Sequence, residues 1–286
     1  MNNTKFYLAE KDLKEFRYYL QERENSGATI EKYMRDVKKF MDFAGTEQPV
    51  DKERLLKYKE WLIDNYAVSS VNSMLVALNQ FLLFMEKGRL RLKRIKVQRA
   101  DILSIDKALD KREFLRLVRT ARQYGKEQIA MIMETMCATG IRVSELKFFR
   151  VENIKGGVIR VWNKGKYRMV ILPEILRKKL LIYIGRNRIR SGVIFRTRTG
   201  REKNRSNIWK EMKVIGDLAG VSLRKVFPHN LRHLFARTFY RETKNLINLA
   251  DILGHSNLDV TRGYASDGIK EWKRNMEKIN LIETET

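Results

Sequence analysis

Several residue types that commonly build metal centres or covalent cross-links are scarce in this chain. Its 286 residues include one cysteine, Cys137, and three histidines. A single cysteine excludes an internal disulfide and is typical of a reducing compartment, so we expect a cytoplasmic protein. The supply of zinc ligands is equally thin, because zinc sites in proteins are built mainly from cysteine and histidine.

A long uninterrupted hydrophobic run is also missing. The longest apolar stretch, residues 68–85, reads "VSSVNSMLVALNQFLLFM" and is interrupted by Ser, Asn and Gln at helical spacing. This pattern is typical of an amphipathic helix and not of a membrane span. No secretory signal precedes the first predicted helix. The sequence therefore predicts a globular, helix-rich protein without a membrane association.

Acidic residues are scarce only in the later part of the chain. Residues 1–86 hold 13 Lys and Arg against 14 Asp and Glu, whereas residues 87–286 hold 46 against 20, for a formal net charge of +25. A heat-adapted surface would mix both signs evenly along the chain. An asymmetric positive field of this size attracts a polyanion and releases its counterions, so we expect nucleic acid as the partner.

The first part of the chain is predicted to be a four-helix bundle that forms a domain over residues 1–88. Apolar residues recur at intervals of three and four, which is the period of an amphipathic helix. Two helices are expected near 8–24 and 52–66. The clearest stripes of the other two are Ile30, Tyr33, Met34, Val37, Phe40 and Met41, and Val71, Met74, Leu75, Leu78, Phe81, Leu82 and Met85.

A basic segment follows the bundle and is predicted to be a linker over residues 89–106. Between Lys87 and Arg99 the chain has seven basic residues and no acidic one. Such a segment is expected to stay extended and solvated, either as a soluble tether or along a phosphate backbone. The candidate DNA-binding residues are Lys87, Arg89, Arg91, Lys93, Arg94, Lys96 and Arg99.

The second part, residues 107–286, is predicted to be mostly helical with one small antiparallel sheet. "GGVIRVW" and "YRMVILP" alternate apolar and polar residues on either side of "NKGK", which indicates a hairpin with a four-residue turn. The overall fold class is therefore mainly α with a small β-sheet. Helices are expected near 107–122, 126–138, 174–185, 203–219, 229–241, 246–253 and 267–281.

The segment "PHNLRH", residues 228–233, places two histidines four residues apart with an arginine between them. Metalloproteases use the same step for two zinc ligands, but with a glutamate where this chain has Asn230. Arg232 would also bring a fixed positive charge toward a metal. The alternative is a clamp for a phosphate, which we favour.

Further residues at predicted junctions carry compatible chemistry. Arg142 follows "ATG" with "VSEL" expected to continue as helix, Lys164 lies in the hairpin turn, His255 follows a helix stop at Gly254, and Tyr264 comes nine residues later. Each alone is an ordinary surface, turn or packing residue. Together they fit a single phosphodiester: arginines neutralise a pentacoordinate phosphorane, tyrosine attacks phosphorus, and lysine or histidine protonates the leaving oxygen. Such chemistry requires no metal, ATP or other cofactor.

These segments resemble the tyrosine recombinase (phage-integrase-like) family, in particular its Xer type. The family pattern is "TGxRxSEL", a "GKGxxR" hairpin, "HxLRH", "LGH" and a tyrosine nine residues after that histidine. This chain has "TGIRVSEL", "NKGKYR", "HNLRH", "LGH" and "VTRGYA". The departure is Asn163 in place of glycine, which leaves Lys166 as an alternative to Lys164.

The resemblance implies a core-binding N-terminal bundle of the SAM-like type, a catalytic domain and a metal- and ATP-independent strand transferase. It further implies that Tyr264 forms a 3′-phosphotyrosyl link and that Lys164 protonates the 5′-hydroxyl. The residues expected to hold the scissile phosphate are Arg142, His229, Arg232 and His255.

The resemblance also implies an assembly. Four protomers are expected on two double-stranded sites of short inverted repeats, each donating its C-terminal helix in trans to a neighbour. The apolar stripe predicted to make this contact is Ile269, Trp272, Met276 and Ile279.

The compact Xer-like layout favours resolution of chromosome dimers at a dif-like site. A mobile-element integrase, a type IB topoisomerase-like enzyme and a non-enzymatic DNA-binding regulator remain alternatives.

Overall fold

The computed structural model describes residues 5–45, 47–96, 108–163 and 166–254. The chain divides into two compact units, Met1–Arg99 and Ala100–Thr286. Each unit has its own apolar core and is described separately below.

The first unit is the predicted four-helix bundle. Side-chain caps begin two of its helices: the hydroxyl of Ser26 accepts from the N–H of Thr29, and the carboxylate of Asp51 accepts from the N–H of Arg54. The helices are α1 (Glu10–Glu22), α2 (Gly27–Ala44), α3 (Lys52–Asn65) and α4 (Val68–Phe84).

The core of this unit lies around α4, which packs against the other three helices. The stripe predicted from its sequence is buried at Val71, Leu75, Leu78, Phe81 and Leu82. Aromatic rings close the bundle, as in the edge-to-face pair of Phe16 and Phe81 with centroids 5.2 Å apart. The apolar periodicity therefore determines the packing as predicted.

The first residues of the predicted linker lie on this bundle. A short 3₁₀ helix, Gly88–Leu90, leads into an extended segment, and Leu90 and Leu92 are buried in the core of the first unit. The expectation of a solvated tether is therefore wrong for residues 89–96, because alternate leucines anchor them. Arg99 and the rest of the linker, residues 97–106, lie outside the described residues.

The second unit contains the remaining helices and the hairpin. A helix forms at "VSEL" as predicted, and it is the 3₁₀ helix Val143–Phe148. The other elements are α5 (Lys111–Gln123), α6 (Glu127–Thr139), α7 (Val151–Ile154), β1 (Val158–Asn163), β2 (Lys166–Ile171), α8 (Glu174–Arg186), α9 (Arg205–Leu218), α10 (Pro228–Thr243) and α11 (Leu246–Leu253).

Helix α5 begins later than the predicted residue 107. Asp110 accepts from the N–H of Glu113, while the carboxylate of Glu113 accepts from the N–H of Asp110. This reciprocal capping box fixes the first helical residue at Lys111.

The hairpin pairs β1 and β2 in antiparallel register from Val158–Ile171 to Asn163–Lys166. The turn is therefore shorter than the predicted four residues, because Asn163 and Lys166 are already strand partners. One face of the sheet, with Ile159 and Val161, is buried, whereas Trp162 on the other face is half exposed.

Helix α6 is the centre of the second unit. It packs against α5, α8, α9 and α10, and its residues from Ile129 to Met133 are all buried. A helix that is apolar on every side is expected in such a central position. The predicted fold class, mainly α with a small antiparallel sheet, is thereby confirmed.

None of the helices in the described part of the chain is long and apolar enough to cross a bilayer. The predicted helix 267–281 lies outside the described residues, and the predicted domain limits remain predictions.

Candidate active site

The first two turns of α10 carry all six residues of "PHNLRH", and Pro228 at its first position suits a helix start. Arg232 is 1% exposed. Its Nη1 donates to the carbonyl of Gly140 at 2.6 Å, and its Nη2 donates to the carbonyl of Leu253 at 2.8 Å. One guanidinium therefore joins the C-terminal ends of α6 and α11 to the start of α10.

Both helix ends finish in a left-handed glycine. Gly140 and Gly254 each have φ +64°. A β-carbon at Gly140 would collide with the side chains of Phe235 and Leu253, and one at Gly254 would collide with the side chain of Arg168. The glycines of "ATG" and "LGH" thus combine a backbone requirement with a packing requirement.

Arg142 follows Gly140 by two residues and is held by Glu145. Its backbone N–H donates to Glu145 Oε2 at 2.8 Å, and its Nη1 donates to Glu145 Oε1 at 3.1 Å. Glu145 also accepts from Arg168 Nη2 at 2.5 Å, while Arg168 Nη1 donates to the carbonyl of Ile252 at 2.7 Å. The carboxylate therefore connects Arg142 to strand β2 and, through Arg168, to the end of α11.

Glu145 is 1% exposed yet is held as an anion. Burial by itself raises the pKa of this carboxyl, but the charge of Arg168, the N–H of Arg142 and the charge of Arg142 bring the pKa below its ordinary value. A buried carboxylate can stay ionised between two guanidinium groups because both of its oxygens accept hydrogen bonds.

His229 lies three residues before Arg232 on α10, and part of its side chain is exposed. Burial, followed by the charges of Arg232, Arg142 and Arg205, lowers its pKa. The imidazole is therefore neutral at pH 7, with one nitrogen that donates and one that accepts. His229 and Arg232 lie on α10, and Arg232 binds the carbonyl of Gly140, two residues before Arg142, so the three residues lie in one region.

His233 packs edge-to-face on His229, with ring centroids 4.4 Å apart. Burial, followed by the charges of His229, Arg237 and Arg232, lowers its pKa to about 4. The residues that the structure describes contain no cluster of three or more His, Cys, Asp or Glu side chains suited to a metal ion.

The structure thus brings together Arg142, His229 and Arg232 from the predicted set. Lys164, His255 and Tyr264 lie outside the described residues. Sequence reasoning missed Glu145 and Arg168 as members of the site. Both could have been identified from the sequence, because Glu145 lies in "TGIRVSEL" and Arg168 lies in "NKGKYR".

Sequence profiles of two families match this chain. The profile described as the phage integrase family matches residues 107–270, which is more than half of the chain. The profile described as the phage integrase N-terminal SAM-like domain matches residues 13–88.

The chain belongs to the phage integrase family.

Known relatives in this family agree in length and class. The tyrosine recombinase XerA of Thermococcus kodakarensis is 29% identical over 281 residues, which cover 95% of this chain and 96% of the relative. XerA of Pyrococcus furiosus is 28% identical over 95% and 94% of the two chains. XerD of Vibrio cholerae is 26% identical over 82% and 84%. The predicted class, a DNA-cutting tyrosine recombinase of Xer type, is therefore confirmed.

Solved structures of the family share the fold. A crystal structure of XerA recombinase covers 96% of this chain and 99% of its own, with a TM-score of 0.54 and 23% identity. A lambda integrase dimer bound to a core site covers 98% and 100%, with a TM-score of 0.74 and 16% identity. XerH bound to a palindromic difH substrate covers 89% and 81%, with a TM-score of 0.70 and 16% identity.

Proposed function

We propose that this integrase-family enzyme cuts and rejoins duplex DNA at a short inverted-repeat site and thereby resolves chromosome dimers. The observation that carries the proposal is the position of Arg232, which binds the carbonyls of Gly140 and Leu253 and so brings the start of α10, with His229, next to the segment of Arg142. Such a cationic pocket stabilises the extra charge of a phosphorane without a metal ion.

In the proposed reaction Arg142 and Arg232 hold the non-bridging oxygens of one phosphodiester. Arginine suits this role because its planar fork of N–H groups stays charged at every physiological pH. The neutral ring of His229 either donates to a phosphate oxygen or accepts the proton of the attacking phenol. His255 completes the pocket.

The covalent step is an exchange of one ester for another. The Tyr264 oxygen forms a bond to phosphorus, the bond between phosphorus and the 5′-oxygen breaks, and Lys164 delivers a proton to that oxygen. Lys166 is the alternative acid. Attack by the 5′-hydroxyl of a partner strand reverses the exchange and releases Tyr264, so no ATP is consumed.

Glu145 and Arg168 act as positioning residues. Glu145 orients the guanidinium of Arg142, and Arg168 ties this pair to the backbone of Ile252, three residues before His255. Because β2 begins two residues after Lys164, the same network links the strand next to the proposed acid with the proposed phosphate ligands.

The choice of a chromosomal site rests on the relatives. The XerA recombinases of Thermococcus kodakarensis and Pyrococcus furiosus match 95% of this chain, and XerH is known in complex with difH DNA. A mobile-element role is the second candidate, because the Tn1549 integrase bound to transposon end DNA shares the fold with a TM-score of 0.72. Footprinting across the chain's own genome, replication terminus included, discriminates the two. Either role places the enzyme with the DNA in the cytoplasm.

The proposed assembly is a tetramer on paired sites. Lambda integrase forms a tetramer bound to a Holliday junction and shares the fold with a TM-score of 0.69. In this chain the apolar stripe of helix 267–281 would dock on a neighbouring protomer, while the basic residues between Lys87 and Arg99 would lie along the phosphate backbone.

The experiment that tests the catalytic proposal uses a nicked suicide duplex, which traps the covalent intermediate because the short 5′-ended fragment diffuses away. The wild-type enzyme should form a covalent complex in EDTA, and Tyr264→Phe should form none while it still binds DNA. Electrophoresis under denaturing conditions measures the complex. No complex with either protein would instead favour a DNA-binding regulator.

A deletion tests the assembly. Removal of residues 268–286 should abolish synapsis of two sites and leave binding to a single site measurable by gel shift, because only the contact between protomers is lost. Unchanged synapsis would contradict donation of the helix in trans.

A further inference from the structure

Leu90 ends the 3₁₀ helix Gly88–Leu90, and the chain that follows it is fastened to α4 by two asparagines; we call residues 90–95 the strap. Asn79 accepts from the N–H of Leu92 at 2.8 Å and donates to its carbonyl at 2.9 Å. Asn72 accepts from the N–H of Ile95 at 2.8 Å and donates to its carbonyl at 3.0 Å. Each amide thus pairs with both backbone groups of one residue, as a neighbouring β-strand would.

The spacing of these contacts matches the geometry of the two elements. Seven residues of α-helix separate Asn72 from Asn79, a rise of about 10 Å. Three residues of extended chain separate Leu92 from Ile95, also about 10 Å. The two asparagines lie on one face of α4, because seven residues make nearly two full turns. The helix therefore holds the strap at two matched points.

Two lysines of α3 hold the strap from a second helix. Lys52 Nζ donates to the carbonyls of Leu90 at 2.9 Å and Arg91 at 2.7 Å. Lys59 Nζ donates to the carbonyl of Lys93 at 2.9 Å. These bonds bring further positive charge to the segment, and burial, followed by the charges of Lys59 and Lys93, lowers the pKa of Lys52.

The side chains of the strap differ in exposure. Leu90 and Leu92 face the core, whereas Arg91, Lys93 and Arg94 are exposed. Within the part of the chain that the structure describes, these three cations form no ion pair with a carboxylate. Surface cations held close together without counter-charges repel one another, and a polyanion relieves that repulsion.

We propose that Asn72 and Asn79 are positioning residues that present the strap as a preset cationic edge for the phosphate backbone of duplex DNA. The proposal deepens the function proposed above and rests on it. A strap that is ordered before binding does not lose its conformational freedom on the DNA, so the same three cations bind more tightly than they would on a free tether.

The experiment compares full-length wild type with Asn72→Ala/Asn79→Ala, with Asn65→Ala as the control. The amide of Asn65 donates to the carbonyl of Trp61 in its own helix, so its loss removes a similar bond away from the strap. Trypsin digestion without DNA, mapped by mass spectrometry, should show cleavage after Arg91, Lys93 and Arg94 accelerated about tenfold in the double variant alone.

Binding to a duplex with a fluorescent label, measured over a series of salt concentrations, gives the second readout. The double variant should bind about five- to tenfold more weakly with an unchanged slope of log Kd against log salt, because its cations are all retained. Arg91→Gln/Lys93→Gln/Arg94→Gln should instead reduce that slope by about 2 to 3.

Each outcome decides between the proposals. Wild-type rates of cleavage and wild-type affinity in the double variant would overturn the role of the two asparagines and leave the proposed function intact. A wild-type protein that binds no duplex would overturn the proposed function itself. If the double variant fails to fold, the single variants Asn72→Ala and Asn79→Ala give the same two readouts.

Discussion

Buried charged groups in the two units of this molecule differ in how far along the sequence their partners lie. In the described part of the first unit the buried charged side chains are Asp12 and Asp36, and both are paired within four residues along the chain. In the second unit the buried polar and charged side chains are Thr120, Thr135, Thr139, Glu145, Asn230 and Arg232. The two buried carboxylates of the first unit thus have partners close by in the sequence, and its core is apolar.

In the second unit the buried charges bridge long sequence distances. Arg232 binds the backbone of residue 140, and Glu145 binds Arg168 of the hairpin. Replacing buried ion pairs with apolar residues often leaves a protein as stable or more stable, so such a network is weak evidence of a purely structural purpose. The contrast indicates that the second unit carries buried charge for the sake of its chemistry.

The largest effect that tests this contrast is expected for Arg232→Lys. Lysine retains one charge but lacks the fork that reaches both the Gly140 and the Leu253 carbonyls. Strand cleavage on the suicide duplex should fall about 10²- to 10³-fold. The free energy of unfolding should fall by about 2 kcal/mol, because one buried carbonyl loses its donor.

Arg186→Lys is the matched control, since Arg186 is an exposed residue of the last turn of α8. It should retain wild-type cleavage and stability. Cleavage by Arg232→Lys at the wild-type rate would show that the guanidinium serves the fold alone.

A smaller effect is expected at the end of α6, where Gly140→Ala adds both backbone strain and a steric clash. Gly220→Ala is the control, because Gly220 has φ +59° with no neighbouring atom near a β-carbon. The control should cost about 1 kcal/mol from left-handed strain alone. Gly140→Ala should cost about 1 to 3 kcal/mol more from collision with Phe235 and Leu253.

Urea unfolding monitored by circular dichroism measures both glycine variants. Equal losses would mean that Phe235 and Leu253 move aside without strain, and the close packing of the α6 and α11 ends would then be of no energetic consequence.

The same contrast explains what could be predicted from sequence. Helices with a strong apolar stripe, such as α4, were predicted within a few residues, because periodicity along the chain states which face is buried. Arg142, His229 and Arg232 are proposed as site residues because their segments match a family sequence pattern and lie at helix starts. These features are local, so they can be read without knowledge of the tertiary structure.

The features that could not be predicted depend on contacts between distant segments. The residues around Glu145 do not indicate that Arg168 lies beside it. The strap is predicted to be solvated because its many cations outweigh its two anchoring leucines in the sequence pattern. Asn72 and Asn79 likewise resemble ordinary polar interruptions of α4. Their partners become apparent only when residues 92 and 95 are seen against the helix.

The smallest effect concerns pH and should also be confined to the second unit, because all three histidines of the chain follow residue 228. The pKa of His233 is about 4 in the folded protein, against an ordinary value of 6.5. As pH falls below 6.5, the unfolded chain binds a proton before the folded chain does, so stability is lost toward pH 4. From pH 7 to pH 5 the half-buried ring should reduce the free energy of unfolding by about 1 to 2 kcal/mol. Pulse proteolysis at the two pH values, with cleavage sites mapped to each unit, measures this loss, and His233→Gln should remove most of it. An equal loss in the first unit, or no change in His233→Gln, would assign the acid sensitivity to carboxylates and weaken the contrast between the units.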